Sequence, residues 1–241
     1  MKPTVIFWDV ETSLIQATTF TLRPDYLPHS GILSDWSILC GAWKVEGEDK
    51  VHSVKVTKYG DDKAVVQKLR DVLAKADIII HHNGDRFDVR KLNARLIYHG
   101  LEPLPPLVTV DTLKEVKKIA QFTSNRLDYL GQHLCGEGKI HTSPDLWLKV
   151  IYNDKKALNE MVTYNEQDVL LLEKVYDRLL PHMKKHPHIG VMQGGQKCDC
   201  PKCGSINLIK KGTRVLATGV IKQQLQCGKC GSYHQINFKP D

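Results

Sequence analysis

The chain has 241 residues, 41% of them hydrophobic and 25% charged, with a formal net charge of +7. This composition excludes a disordered polar chain, and no apolar run reaches the roughly 20 residues that a membrane-crossing helix needs. The length suits one ordinary domain with a small appendage.

The opening MKPTVIFWDVETS has a short apolar stretch that acidic residues interrupt at once, which does not fit a signal peptide and predicts a cytosolic protein. Within it TVIFWDVETS reads as a buried strand, and residues 11–34, with Pro24 and Pro28, read as a long loop. WSILCGAWKV and KVHSVKV read as two strands joined by the turn-like EGEDK. Over residues 61–76, Val65, Leu69, Val72 and Leu73 recur at helical spacing, with Asp61 and Asp62 at the N-terminus where they suit the helix dipole. ADIIIHHNG predicts a central strand, FDVRKLNARLIYHG a helix ended by Gly100, and EPLPPL a break that no helix continues through. LVTVDTL predicts another strand. The remainder to about residue 183 is mainly helical, and Leu170, Leu171, Leu172 and Val175 form the apolar side of its last helix. Strands first, then alternation, then helices imply an α/β fold: a mixed central sheet flanked by helices. The predicted organisation is a domain over residues 1–185, a Gly- and Pro-bearing linker over 186–196, and a separate unit over 197–241.

Asp9 and Glu11 lie two apart on the first predicted strand, so they point to one face. Side by side they repel, and a divalent cation between them relieves the repulsion; Mg²⁺ and Mn²⁺ prefer such oxygen ligands. A solvated loop accounts for this pair alone equally well. Asp88 follows the central strand, with Asp85 close by, and chemistry does not choose between them. Asn83 beside Gly84 suits either a turn or a substrate contact. Tyr164 precedes Asp168 by one helical turn, so both occupy one face; a core aromatic with a polar end explains Tyr164 alone. Asp111 suits a helix cap. Arg86, Arg90, Lys91 and Arg126 suit a nucleic-acid backbone or ordinary exposed helix charge.

In order, D-x-E, N-x-x-x-F-D and Y-x-x-x-D resemble the motifs of the DEDD superfamily of 3′–5′ exonucleases. The tyrosine puts the resemblance in the branch that includes the proofreading domain of family B DNA polymerases. NRLDYLGQHL also looks like a helix of such nucleases, and the resemblance covers residues 3–183. It implies a ribonuclease H-like fold, selects Asp88 over Asp85, and implies a catalytic set of Asp9, Glu11, Asp88, Tyr164 and Asp168. The four carboxylates would hold two Mg²⁺ or Mn²⁺ ions, Tyr164 would orient the attacking water, and the product would be a nucleoside 5′-monophosphate. Asn83, Phe87 and Arg126 are the candidate substrate contacts. The expected substrate is single-stranded nucleic acid, DNA before RNA. A ribonuclease H-like endonuclease or transposase, and a non-catalytic nucleic-acid adaptor, remain alternatives.

Five of the seven cysteines fall between residues 198 and 230. Cys200-Pro-Lys-Cys203 and Cys227-Gly-Lys-Cys230 form two C-x-x-C pairs separated by 23 residues, a tetrahedral four-thiolate set for one structural Zn²⁺ with no open position. The unit resembles a zinc ribbon, with INLIKKGTRV and VIKQQLQ as hairpin strands. Cys198 and His234 are rival ligands that the C-x-x-C geometry disfavours. Residues 191–241 hold eight lysines and arginines against two aspartates, whereas the first 190 residues are near neutral at +1. That imbalance points to nucleic acid as the ribbon's partner, with docking to a protein as the other use.

Overall fold

The computed structural model describes residues 2–140 and 142–238; the last three residues of the expected 197–241 unit lie outside them. In chain order come β1 (Val5–Thr12), β2 (Gln16–Ala17), β3 (Ile32–Ser34), β4 (Ile38–Val45), β5 (His52–Lys55), α1 (Lys63–Leu73), β6 (Ile78–His81) and α2 (Asp88–His99). Then follow β7 (Thr109–Asp111), α3 (Thr112–Ile119), α4 (Leu127–Cys135), α5 (Asp145–Ile151), α6 (Lys155–Leu179) and α7 (Ile189–Met192). The C-terminal strands are β8 (Leu208–Val215), β9 (Ile221–Cys227) and β10 (Tyr233–Asn237). Among the described residues no helix is long and apolar enough to cross a membrane.

The main sheet has the order β5-β4-β1-β6-β7. β1 pairs antiparallel with β4 and parallel with β6, so the sheet is mixed, as the element order predicts. Helices cover both faces, which is why β1 is apolar at nearly every position up to Asp9. Ile6, Trp8 and Val10 enter one core with residues of α1 and α2, while Val5 and Phe7 enter the other with α4 and the later turns of α6. Asp9 and Glu11 continue the Val5–Phe7 face. Gly41 of β4 lets α1 approach the sheet: a Cβ there would stand 2.7 Å from a Leu69 methyl.

Two local expectations, the loop after β1 and the apolar stripe of the last helix, need correction, and Asp62 does more than its position implies. The long loop after β1 contains the β2–β3 ribbon, and β1 itself runs to Thr12, where the Trp147 indole donates to the Thr12 carbonyl at 3.2 Å. Asp62 stands at the N-cap of α1 but makes no capping bond. It is fully buried and accepts both Nε and Nη2 of Arg95 at 2.7 Å, His99 Nε2 at 2.7 Å and the Ile38 N–H at 2.9 Å. Burial opposes its charge, but these donors outweigh it and hold the carboxyl below its ordinary range. On α6 the buried stripe is Val169, Leu171, Leu172, Val175, Tyr176 and Leu179, with Leu170 only partly buried. The helix meets the sheet along β1 and β4 and also packs against α4, so its apolar contact turns with the helix rather than following three consecutive leucines.

The segment over 186–196 is anchored. It holds the short helix α7, Ile189 packs into the second core, and the Ile189 N–H donates to the Pro201 carbonyl at 2.8 Å. Lys202 Nζ reaches the Pro181 carbonyl at 2.8 Å. Beyond it stands a three-stranded antiparallel sheet in the order β10-β9-β8, one strand more than the expected hairpin.

Candidate active site and metal centre

β1, β6 and α6 bring the acidic residues together at one end of the sheet. One carboxylate oxygen from each of Asp9, Glu11 and Asp168 lies within 4.8 Å of the others. The last β1–β6 pair is Phe7–Ile80, so the Val10 N–H has no strand partner on that side. Asp88 Oδ1 accepts it at 3.3 Å, and this places Asp88 beside the cluster. Asp85, three residues earlier, turns away: it lies 3.1 Å from His81 Nε2 and 2.7 Å from Lys114 Nζ. The turn between them needs Asn83 at φ +68°, and a Cβ on Gly84 would stand 2.3 Å from His81 Cγ. That tight turn, which β6 and α2 together impose, separates the roles of two chemically equal aspartates.

The carboxylates are poorly compensated. Burial, then the charge of Asp88, pushes the Asp9 carboxyl well above its ordinary range. Burial, with Asp168 adding to it, pushes Glu11 up to about 8. Burial raises Asp88 to about 6 although His81 opposes the shift, and Asp168 is raised for the same reason against Lys139. Asp168 Oδ1 is buried without a hydrogen-bond partner. Oxygen-rich, negatively charged and holding an orphaned acceptor, the cluster suits hard divalent cations, whose charge would reverse every one of these shifts.

Two residues that the sequence pattern does not single out complete the site. Lys139 Nζ donates to Asp168 Oδ2 at 2.5 Å and to Tyr164 Oη at 3.2 Å. It comes from the loop after α4, where no periodicity marks it. Asn165 is 1% exposed and its Nδ2 donates to Asp9 Oδ2 at 2.7 Å. A fully buried amide in mid-helix, three residues before Asp168 on the same face, was a readable signal. Burial, then Asp168, raises the Tyr164 phenol to about 12.

Of the expected substrate contacts, Asn83 and Arg126 line a cleft of about 600 Å³ with His82, Lys117 and Lys139. The cleft adjoins the carboxylates through Lys139. Phe87 is not in it; it is 40% exposed beside Asp88, with Lys91 near its ring. Lys91 itself sits over the Trp36 ring at 3.5 Å. Asp111 caps α3, accepting from the Leu113 and Lys114 N–H groups.

In the C-terminal unit, Cys200, Cys203, Cys227 and Cys230 converge. Cys200 Sγ lies 3.6 Å from Cys230 Sγ and Cys203 Sγ 3.5 Å from Cys227 Sγ. Tetrahedral Zn–S bonds of about 2.3 Å require S···S separations of about 3.8 Å, so the set fits one Zn²⁺. Ser232 Oγ, 3.1 Å from Cys230 Sγ, and the Lys229 N–H, 3.4 Å from Cys227 Sγ, support the sulfurs. Cys198 stands outside the group with its Sγ 3.5 Å from Gln196 Oε1, and His234 Nε2 lies 2.9 Å from the Cys198 carbonyl oxygen.

Comparison with known proteins agrees with the geometry. A family model described as the RNase_H superfamily matches residues 31–180, a span that includes Asp88, Tyr164 and Asp168 and begins after Asp9 and Glu11. A DNA polymerase III PolC-type of Ureaplasma parvum serovar 3 is 37% identical over 67 residues, which are 28% of this chain and 4% of that protein. The structure of the family B DNA polymerase from Pyrobaculum calidifontis superposes with a TM-score of 0.58 at 18% identity, over 74% of this chain and 25% of that one. This chain therefore spans a small part of both polymerases, and the second likeness is one of fold.

Proposed function

This chain belongs to the RNase_H superfamily, and from that premise we propose that it is a metal-dependent 3′–5′ exonuclease acting on single-stranded nucleic acid, DNA in preference to RNA. The observation that carries the reading is the convergence of Asp9, Glu11 and Asp168 within 4.8 Å, with Asp88 beside them and Tyr164 one helical turn from Asp168. The likeness to two DNA polymerases supports a nucleic-acid substrate, and Tyr164, one helical turn before Asp168, supports a place in the tyrosine branch of the DEDD exonucleases.

Asp9, Glu11, Asp88 and Asp168 would hold two Mg²⁺ or Mn²⁺ ions. When bound, such a pair supplies an activated water and a clamp on the attacking and leaving oxygens of an in-line displacement at phosphorus. The chain's own groups do the rest. Tyr164, its phenol at about 12, stays protonated at neutral pH and orients the water rather than deprotonating it. Lys139 keeps its charge, because Asp168 and Asp9 outweigh the effect of burial, and it bonds both Asp168 and Tyr164. From that position it faces negative charge developing on the phosphate. Asn165 fixes the Asp9 carboxylate. Asn83 and Arg126, in the cleft beside Lys139, hold the strand's terminal nucleotide, while Phe87 stands outside that cleft beside Asp88. The product is a nucleoside 5′-monophosphate. One structural Zn²⁺ on the four cysteines stabilises the C-terminal unit, and reduced thiols suit a cytosolic location.

The test is a panel of 3′- and 5′-labelled DNA and RNA strands with Mg²⁺ or Mn²⁺. Shortening from the 3′ end, abolished in Asp9→Ala and Asp168→Ala, supports the reading. Cleavage of closed circles would move it to an endonuclease, and wild type indistinguishable from Asp9→Ala would end it.

A further inference from the structure

Side-chain alternation divides the C-terminal sheet into two faces. On one, Lys210, Leu225 and His234 form a row, and this face turns toward the cysteine loops: Leu225 is buried and His234 bonds the Cys198 carbonyl. On the other, Ile209, Gln226 and Tyr233 form a row, Gln224 and Gln235 a second, and Arg214, Lys222 and Asn237 a third. Among the described residues this second face is largely open: Ile209, Arg214, Gln235 and Asn237 are exposed, and Tyr233 is 52% exposed. From the Tyr233 row to the Asn237 row it measures roughly 14 Å along the strands and 10 Å across them.

Its chemistry is one-sided. Among the described residues from 197 to 238 the single acidic side chain is Asp199, which is buried and accepts from the Gln196 N–H at 2.7 Å. The open face thus pairs two cations with a row of amides and an exposed phenol ring, and among the described residues no carboxylate neutralises it. Cations attract a polyanion, amides can bond base edges, and a flat ring takes an unpaired base. A duplex hides its base faces, and an acidic peptide has no use for the ring.

We infer that this face binds single-stranded nucleic acid, stacking a base on Tyr233 and setting phosphates against Arg214 and Lys222. It rests on the nuclease reading only for the identity of the polyanion: the strand held here is the one whose 3′ end enters the carboxylate site. The ribbon then acts as a second grip that keeps the strand on the protein between cleavage events.

Fluorescence anisotropy of a labelled 20-nucleotide strand tests this with the full zinc-loaded chain, without Mg²⁺ or Mn²⁺, across a salt series. Arg214→Gln/Lys222→Gln lowers the slope of log affinity against log salt by about 1.4, two phosphate contacts on a single strand. Tyr233→Ala weakens binding about 5- to 150-fold, the loss of one stacked base, and Tyr233→Phe restores it. Lys63→Gln/Lys75→Gln, a charge-matched change at exposed positions near α1, binds like wild type. One zinc per chain in each variant shows that the unit is intact. Unchanged affinity and slope in the face variants, no binding by wild type, or equal displacement by polyglutamate overturns the inference. Hydrolysis of the p-nitrophenyl ester of thymidine 5′-monophosphate, which is too short to reach the ribbon, reports separately on the carboxylate site. Its failure would sink the nuclease reading and leave the binding result to stand or fall by itself.

Discussion

Asn165→Ala removes the donor that holds Asp9 and alters none of the acidic residues themselves. The bond is 2.7 Å long, and its donor side chain is 1% exposed, so no water replaces it readily. A hydrogen bond to a charged group under such conditions is worth about 1.5–3 kcal/mol, or roughly 10- to 150-fold in an equilibrium or rate. Burial and the neighbouring Asp88 already oppose the Asp9 charge, so its loss of support falls on cation binding first. The expected result is a rise of about tenfold or more in the Mn²⁺ concentration giving half-maximal rate, with kcat lowered and the KM for a short DNA strand little changed. Asn165→Asp is more damaging, because it adds a further carboxylate to the cluster. Circular dichroism melts accompany the kinetics: a purely structural asparagine would lower Tm and leave the metal titration where it was. An unchanged metal titration in Asn165→Ala refutes the positioning role.

Asp62→Ala strands Arg95 in the interior and is expected to lower stability by about 3–5 kcal/mol in urea unfolding. Because the folded-state pKa of Asp62 is depressed, its contribution is fully present above about pH 4, the unfolded value, and is lost as pH falls through the folded value. Wild-type stability therefore drops more steeply in acid than that of Asp62→Asn. Lys139→Met removes a cation that competes for Asp168, so Mn²⁺ should raise Tm at about tenfold lower concentration while the cleavage rate falls. A Tm response to Mn²⁺ equal to that of wild type would show that the ammonium does not occupy that place. Cys227→Ser should reduce bound zinc below one per chain and open residues 197–238 to protease, with the nuclease domain melting as before; zinc retained at full stoichiometry would exclude a four-thiolate site.

Much of the acidic cluster was legible because its geometry is periodic. Asp9 and Glu11 share a face through the two-residue repeat of a strand, and Tyr164 and Asp168 through the turn of a helix. Chemistry alone did not choose between Asp85 and Asp88; the left-handed Asn83 and the point where α2 begins separate them, and neither is visible in composition. Lys139 was illegible for a different reason. It lies in a loop whose path is set by tertiary contacts, such as the Lys139 N–H bond to Asp128 at 2.7 Å, and one lysine among many carries no local mark. The helix-start position of Asp62 was legible, but its partner Arg95, 33 residues away, was not. Phe87 followed its motif into the candidate set, but it does not line the cleft.

The bond between Asn165 and Asp9 joins residues 156 apart in sequence. A ribosome adds about 5–20 residues per second, so β1 waits roughly 8–30 s before α6 has been synthesised. Until then Asp9 and Glu11 have neither Asp168 nor an amide donor, and the nascent chain holds no complete site. The separation leaves the acidic cluster incomplete until α6 packs on β1. It also couples catalysis to completion of the fold, since the contact that closes the site is among the most distant in the chain and has the greatest loop-closure cost.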